Sequence, residues 1–290
     1  MPSWICPSCS NVLSLNNHIW ACSNGHSYDV AKEGYVNLLL VQHKNSKQPG
    51  DNKQMVNGRR AFLALGFYQP LADAISYIFN QHLATITHES AVSFFDAGCG
   101  EGYYMDQVSQ SCDQADIQIE FSGLDISKFA VQKAAKKYSN NHFAVASTFQ
   151  LPLENNSQDA VLQIFAPSSE LEIHRVLKSS GIWITVNPAA NHLFEFKQAL
   201  YDKPTEHKAE QVTPQEFELT QQLNINFVMQ LTEPEQRENL LMMTPYYWSA
   251  TAEKKQMLVD NLQQFTTDFD IRVFSKIAIN AKNMDNKTDV

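Results

Sequence analysis

The sequence has few charged residues and no long apolar run. Charged side chains make up 18% of the 290 residues, and 31 acidic residues outnumber 22 basic ones, for a net charge of −9. This balance disfavours a generally basic nucleic-acid binder. No apolar run approaches the roughly 18 residues of a membrane-spanning helix, and the first residues lack the basic and apolar regions of a signal peptide. We therefore expect a cytoplasmic protein.

Positive charge is concentrated at the N-terminal end. Residues 1–70 have a net charge of +3, which leaves −12 for the remaining residues. A polyanionic partner would therefore meet the N-terminal end, although ordinary surface variation accounts for the difference equally well. The basic residues of this segment are Lys32, Lys44, Lys47, Lys53, Arg59 and Arg60, and the acidic ones are Asp29, Glu33 and Asp51.

Three of the five cysteines lie within the first 22 residues. Cys6, Cys9, Cys22 and His26 follow the spacing C-x2-C-x12-C-x3-H, two close pairs of the ligands that a tetrahedral zinc ion binds. Four protein ligands leave no open position, so the predicted site is structural, and the metal would supply folding free energy on the order of 10 kcal/mol. The alternatives are a disulfide pair, which a reducing compartment disfavours, and chance. The two remaining cysteines are predicted to be unliganded.

A glycine-rich turn follows an apolar run at 91–95, which predicts a buried strand. An acid precedes three glycines at every second position, and a Cβ at those glycines would block both a tight strand-to-helix turn and the approach of a ligand to backbone N–H groups. The spacing differs from that of a nicotinamide site. It resembles motif I of class I S-adenosylmethionine (SAM) methyltransferases; another nucleotide-binding turn or a purely structural loop are the alternatives. The predicted cofactor residues here are Asp96, Gly98, Gly100, Glu101 and Gly102.

Alternating strands and helices after this turn are typical of a doubly wound, mostly parallel sheet. We expect an α/β, Rossmann-like methyltransferase fold at 71–290, preceded by a zinc ribbon at 1–36 and a linker with a loop at 37–70. The apolar-poor segment 42–54 predicts a mobile basic loop, which is either a contact for RNA or substrate or a solvated linker. The final alternating run, 269–279, predicts an edge strand. Further strands are predicted at about 117–124, 142–146, 160–165 and 182–186, and helices at about 55–65, 70–84, 103–111, 128–138, 170–177 and 192–201.

Asp125 ends the second predicted strand, where open α/β sheets bind ligands. Its carboxylate is predicted to accept the two hydroxyls of an adenosine ribose, and the alternative role is a helix N-cap. The fourth strand ends at Ile164–Ser168 without the Asn/Asp-Pro-Pro motif of many exocyclic-amine methyltransferases, so a ring nitrogen is the expected target. A ring nitrogen that bears a proton needs a base. The candidates are Glu101, Asp106, His192 and Glu195.

Six short blocks, together with the cysteine pattern, resemble the RlmA-type 23S rRNA guanine-N1 methyltransferases. The resemblance runs from about residue 4 to about residue 200, and the zinc ribbon with its Lys-Glu-Gly-Tyr-Val-Asn-Leu block is far more specific than motif I. One departure is at 177–181, where Ser180 takes a position usually held by glycine and puts the local turn in doubt. The blocks are residues 31–39 (AKEGYVNLL), 49–51 (PGD), 59–63 (RRAFL), 68–71 (YQPL), 103–104 (YY) and 191–193 (NHL).

This resemblance implies a SAM-dependent methylation of N1 of one guanosine in a 23S rRNA hairpin loop. It also implies that the ribbon recognises RNA and that the enzyme is a homodimer. Two other hypotheses stay open: a methyltransferase of a small molecule, such as a quinone or an antibiotic, with a structural ribbon, and a non-enzymatic binding module. By position, the zinc ligands would be Cys6, Cys9, Cys22 and His26, and the SAM contacts would include Tyr68, Gly100, Glu101 and His192.

Overall fold

The computed structural model describes residues 2, 4–43, 49–86, 91–112, 117–201, 203–207 and 212–277. The strands are β1 (Ser14–Asn16), β2 (Ile19–Ala21), β3 (Ser27–Asp29), β4 (Val36–Asn37), β5 (Val92–Ala97), β6 (Ile119–Asp125), β7 (His142–Val145), β8 (Gln158–Ile164), β9 (Leu177–Pro188), β10 (Phe217–Gln230) and β11 (Gln264–Lys276). The helices are α1 (Lys53–Ala64), α2 (Gln69–Leu83), α3 (Tyr103–Cys112), α4 (Lys128–Lys137), α5 (Glu170–Val176), α6 (Phe194–Leu200), α7 (Pro234–Met242), α8 (Tyr246–Ser249) and α9 (Ala252–Asn261), and a 3-10 turn covers Val41–His43.

The described strands form two sheets. β1, β2 and β3 make a three-stranded antiparallel sheet, and the other eight form one sheet in the order β10-β11-β9-β8-β5-β6-β7-β4. Neighbouring strands from β9 to β4 run parallel. The chain moves outward from β5 through β6 to β7 and then crosses back to β8 on the other side of β5, so a ligand crevice is expected where the order reverses. The predicted α/β fold is confirmed.

The predicted strands and helices between 91 and 201 are all present, with small shifts at their ends. The largest shift is in β9, which begins at Leu177 rather than near 182. The segment that contains Ser180 is therefore strand and not a turn, and Ser180 does not have a positive φ. Gly181, in contrast, needs its small size, since an added Cβ would lie 2.9 Å from the backbone oxygen of Gln158 on β8.

Helices α1 and α2 lie between β4 and β5, and they begin two residues and one residue before the predicted starts at 55 and 70. The side chain of Asn52 caps α1 by accepting the N–H groups of Gln54 and Met55 at 2.9 and 3.0 Å. Pro70 lies in the first turn of α2, where its missing N–H removes no helical hydrogen bond. No single helix among the described residues is long and apolar enough to cross a membrane; α1 and α2, bent by 81°, meet that test by length and composition only as a pair.

The prediction of an edge strand at 269–279 is wrong for its described part, which ends at 277. β11 lies inside the sheet, antiparallel to both β9 and β10. Phe269 and Ile271 are fully buried, and the charged residues between and beside them are paired, since Arg272 Nε donates to Asp270 at 2.8 Å. β10, for which the sequence pattern predicts no strand, forms one edge of the described sheet. Its Asn residues have weak strand propensity, so the pattern there does not indicate a strand.

The N-terminal sheet packs against the large sheet. Trp4 is buried and pairs with Leu153, and its ring meets that of Phe95 edge-on at 6.4 Å. β4 joins the outer side of β7. Of the predicted loop at 42–54, residues 44–48 lie outside the described residues, whereas the backbone oxygen of Asp51 accepts a hydrogen bond from Ser127 Oγ at 2.6 Å. The end of this loop is therefore attached to the start of α4.

Candidate cofactor cavity and metal centre

The four predicted metal ligands converge. One ligand atom from each of Cys6, Cys9, Cys22 and His26 lies within 4.8 Å of all the others. The Sγ atoms of Cys9 and Cys22 are 3.7 Å apart, and His26 Nδ1 is 3.5 Å from the Sγ atoms of Cys6 and of Cys22. A tetrahedral zinc ion with Zn–S near 2.3 Å and Zn–N near 2.0 Å places its ligands about 3.8 and about 3.5 Å apart. The donor set and its spacing therefore fit zinc.

Two tight turns hold these ligands in position. The N–H of Ser10 donates to the backbone oxygen of Cys6 at 2.8 Å, and the N–H of Gly25 donates to that of Cys22 at 3.0 Å. The Tyr28 hydroxyl lies 3.1 Å from Cys6 Sγ, where it supports the thiolate. A disulfide is excluded for these cysteines because a bonded pair needs an S–S distance of about 2.05 Å, and all three are free.

A cavity of about 710 Å³ opens at the carboxyl ends of β5, β8 and β9. This volume lies within the range of about 300–1,000 Å³ that small-molecule sites occupy. Of the eight predicted cofactor residues, Gly102 and Asp125 are absent from the residues that line it. The six that line the cavity are Tyr68, Asp96, Gly98, Gly100, Glu101 and His192.

The glycine turn forms one end of this cavity. Gly98 has a φ of +94°, and a Cβ there would lie 2.5 Å from the Cβ of Ala166 at the end of β8. A Cβ on Gly102, whose φ is +85°, would lie 3.0 Å from ring carbons of Tyr138. Gly98 therefore permits close approach of the neighbouring loop, whereas Gly102 permits α3 to pack near the end of α4.

Asp125 holds the same turn from behind. Its Oδ2 accepts the N–H of Gly100 at 3.0 Å, and its Oδ1 accepts the N–H of Ser127 at 2.7 Å. The N-cap of α4 is Ser127, whose Oγ accepts the N–H of Ala130. The alternative role of Asp125 as the N-cap is therefore wrong. The carboxylate has further lone pairs beyond these two bonds.

Comparison with known proteins matches both parts of the chain. Residues 4–47 match the family described as "RlmA, N-terminal", and residues 88–257 match a methyltransferase domain family. The 23S rRNA (guanine(748)-N(1))-methyltransferase of Streptomyces fradiae is 31% identical over 249 residues, which are 84% of this chain and 85% of that protein. This chain belongs to the RlmA-type methyltransferase family.

A second relative matches almost the whole length of this chain. The Bacillus subtilis (strain 168) protein named "Putative 23S rRNA (guanine-N(1)-)-methyltransferase YxjB" is 30% identical over 280 residues, which are 93% of this chain and 96% of that protein. The protein is therefore a SAM-dependent methyltransferase with an N-terminal zinc ribbon, as the glycine turn and the cysteine pattern predict.

The cavity of the methyltransferase fits the charges of SAM. SAM supplies an activated methyl group on a cationic sulfonium and also carries an ammonium and a carboxylate group. Asp96 is buried, and its burial, followed by the nearby charge of Asp125, raises the pKa of Asp96 to about 8. Glu101 is also buried, burial raises its pKa, and its Oε2 has no hydrogen-bond partner. These carboxyl groups suit a cationic ligand, because burial without one disfavours their charge.

Arg59 is a basic residue at the glycine-turn end of the cavity that is not among the predicted cofactor residues. It lines the cavity, its Nη2 pairs with Asp51 Oδ2 at 2.7 Å, and its buried Nε has no hydrogen-bond partner. An unsatisfied guanidinium N–H beside the cavity fits an anionic group. The RRAFL block contains Arg59 and was the available sequence signal.

Phe165 is a second cavity residue that the sequence does not single out. Its φ of +50° is unusual for a bulky residue, and its side chain is 44% exposed. Its ring lies 5.8 Å from those of His192 and Phe269, which support it from behind. Such backbone strain at a cavity is typical of a functional position.

The four candidate bases differ in position. Glu101 and His192 line the cavity, whereas Asp106 and Glu195 are absent from its lining. Both N–H and Oγ–H of Thr266 donate to Glu195 Oε1, which makes Glu195 a structural residue. Burial, followed by the charge of His207, lowers the pKa of His192 to about 3, and its Nδ1 accepts the N–H of Asp268 at 3.3 Å. His192 is thus neutral at physiological pH, and its free Nε2–H is a donor.

SAM binding at pH 7 is expected to release a proton from Asp96. With a pKa of about 8, this carboxyl group holds a proton at pH 7 in the free protein. A cation in the cavity favours the carboxylate, so the pKa falls and up to about one proton leaves per SAM bound. Calorimetry at pH 7 in buffers of different ionisation enthalpy measures the release, which should be smaller in Asp96→Asn and unchanged in the surface control Asp260→Asn. Heats that are independent of the buffer would contradict it.

Proposed function

We propose that this protein transfers the methyl group of SAM to N1 of a guanosine in a hairpin loop of 23S rRNA. What supports the proposal is the joint presence of a zinc ribbon and a SAM cavity in a chain that resembles named 23S rRNA guanine-N1 methyltransferases over 84% and 93% of its length. The small-molecule alternative has no comparable support. The protein is expected to be cytoplasmic, and the family resemblance further implies a homodimer, which light scattering in solution tests.

The proposed cofactor contacts follow from the position of each residue. Asp125 offers its remaining lone pairs to the ribose hydroxyls, and Gly98 and Gly100 allow the backbone to approach the cofactor. Glu101 faces the ammonium group, and Arg59 faces the carboxylate. The other proposed contacts are Tyr68, Asp96 and His192, which line the cavity, and Gly102, which shapes the turn.

The target guanine is proposed to stack on Phe165. Enzymes that modify a base extrude it from its stack and hold it against aromatic or apolar side chains. The exposed face of Phe165 at the end of β8 offers such a surface inside the same cavity as the cofactor residues. The neutral His192 behind it adds no positive charge that would oppose the incoming sulfonium.

The reaction forms a bond between N1 and the methyl carbon while the bond between carbon and sulfur breaks. The sulfur keeps the electron pair and becomes neutral, and the N1 proton leaves to a base or to water. The protein therefore has to align N1 with the methyl carbon and keep water from the cavity, since the methyl group is already activated.

Transfer of labelled methyl from SAM to unmodified 23S rRNA tests the proposal. We expect one equivalent of label per rRNA, recovered as N1-methylguanosine by nucleoside mass spectrometry. A set of quinones and macrolides, assayed in parallel, should remain unlabelled. Label in a small molecule with none in RNA would establish the small-molecule alternative, and the absence of SAM binding by calorimetry would establish the non-enzymatic one.

Replacement of Arg59 by alanine is expected to weaken S-adenosylhomocysteine binding about tenfold, equivalent to about 1.4 kcal/mol. This product keeps the carboxylate, whereas 5′-methylthioadenosine lacks it and should bind the variant as well as the wild type. Calorimetry with both ligands measures the difference. Lys128→Ala is the control, because it also removes one positive charge but at an exposed position outside the cavity lining. Equal losses for the two ligands would show a structural role for Arg59.

A further inference from the structure

A second cleft, of about 270 Å³, lies on the surface where α1 meets α4. Three lysines line it: Lys53 at the start of α1, and Lys133 and Lys136 on α4. We call it the lysine cleft. Glu33, from the block between the ribbon and β4, is its one acidic lining residue. In a chain of net charge −9, this is a local concentration of positive charge.

The three lysines have no anionic partner among the described residues. None of them forms an ion pair with another residue in the part of the chain that the structure describes. Glu33 is already engaged, since it accepts a hydrogen bond from Gln132 at 2.9 Å and lies 3.7 Å from Lys32 Nζ. Like charges in one cleft repel each other, and an anion bound between them would relieve that repulsion.

Helix stabilisation does not account for this arrangement. Lys136 is in the last turn of α4, where a cation interacts favourably with the helix dipole. Lys53 is in the first turn of α1, where a cation is unfavourable, and that turn contains no acidic residue to balance it. A ligand for the cleft explains both positions.

The lysine cleft and the cofactor cavity share α1 as a wall. Val56 and Asn57 line the cleft, and Arg59 and Leu63 line the cavity. These positions are two to seven residues apart, which corresponds to about 3–10 Å along the helix. A strand whose target base enters the cavity would therefore have its neighbouring backbone within reach of the cleft.

We propose that the lysine cleft binds a backbone phosphate next to the target nucleotide. This inference rests on the proposed action on RNA. Lysine is a point-charge donor that suits a phosphate without reading its base, so the contact strengthens binding and fixes the position of the strand but adds no sequence preference. Asn57 in the cleft wall offers its side-chain N–H groups to the same phosphate, and Gln132 offers the amide N–H that it does not donate to Glu33.

The double variant Lys133→Gln/Lys136→Gln tests the proposal. We expect the KM for 23S rRNA to rise about tenfold and the slope of log affinity against log salt to fall by about 1 to 2, as for the loss of one or two phosphate contacts. The kcat and the SAM affinity should stay unchanged. The control is Lys128→Gln/Lys203→Gln, which removes the same charge at two exposed positions outside the cleft.

The possible outcomes distinguish failure of the cleft proposal from failure of the proposed function. If both double variants raise the KM equally, the effect is one of overall charge and the cleft is not a site. If wild type methylates rRNA and the cleft variant matches it in KM and salt slope, the cleft proposal fails and the function stands. If wild type binds rRNA through the cleft without methylating it, the function fails and the cleft stands. A wild type that neither binds nor methylates rRNA overturns both.

Discussion

Cys22→Ser is expected to release the metal and unfold the N-terminal ribbon while the SAM cavity stays formed. The strands β1, β2 and β3 have three residues each, which is too little pairing to be stable without support. Zinc supplies on the order of 10 kcal/mol to such a segment, so its loss outweighs the remaining contacts. Methylation of rRNA should fall on the order of 100-fold or more, because the ribbon would be mostly unfolded.

Metal content by mass spectrometry and amide hydrogen exchange over residues 4–30 measure this loss. SAM affinity should be unchanged, since no residue of the zinc cluster lines the cavity. Cys112→Ser is the matched control, because Cys112 is a buried cysteine outside the cluster. Full zinc content in Cys22→Ser would contradict the metal site. Normal rRNA methylation without zinc would contradict the prediction that the ribbon recognises RNA.

Gly98→Ala is expected to weaken SAM binding on the order of 100-fold, or about 2.7 kcal/mol. The added Cβ would lie 2.5 Å from the Cβ of Ala166, whereas carbon atoms pack best at about 3.5–4.0 Å. Either the glycine turn or the end of β8 must move, and each of them lines the cavity. The φ of +94° adds strain for alanine. Calorimetry with SAM measures the loss.

Two further variants separate the clash from the backbone strain. Gly66→Ala introduces alanine at a similar φ of +77° with no atom within 4 Å, so it should lower stability slightly and leave SAM affinity unchanged. The double variant Gly98→Ala/Ala166→Gly removes the clash and should recover most of the lost affinity. If the second substitution brings no recovery, contact with Ala166 is not the cause.

The metal ligands and the cofactor end of the cavity were predictable because each depends on local spacing. Cys6 and Cys9 are held by one turn, Cys22 and His26 by a second, and the glycines from Gly98 to Gly102 by a third. Each short stretch of sequence therefore contains the geometry of its own turn. The prediction that Asp125 binds the ribose also rests on a local feature, which is the end of a predicted strand. Its bonds to Gly100 and Ser127 bring two separate elements together, and no local pattern contains that information.

The features that the sequence does not predict depend on contacts between distant segments. β11 alternates charged and apolar residues as an exposed edge strand would, but Asp268 and Asp270 accept hydrogen bonds from Asn224 and Gln222 on β10, which makes burial possible. Arg59 acquires its position beside the cavity through Asp51, and the loop that contains Asp51 is fixed by Ser127. Periodicity along one segment does not reveal such partners.

The edge strand β10 lacks the side chains that usually keep a sheet edge from pairing with another chain. Residues 220–230 (TQQLNINFVMQ) contain no charged residue and no proline, and β10 is the outermost of the described strands on its side of the sheet. The usual protections of an edge, lysine or proline, are thus absent from this stretch, and the irregular register between Leu219 and Gln221 is the local feature that bends it. Gln- and Asn-rich strands of this kind pair readily with copies of themselves. Concentrated or partly unfolded protein is therefore expected to aggregate from this edge first.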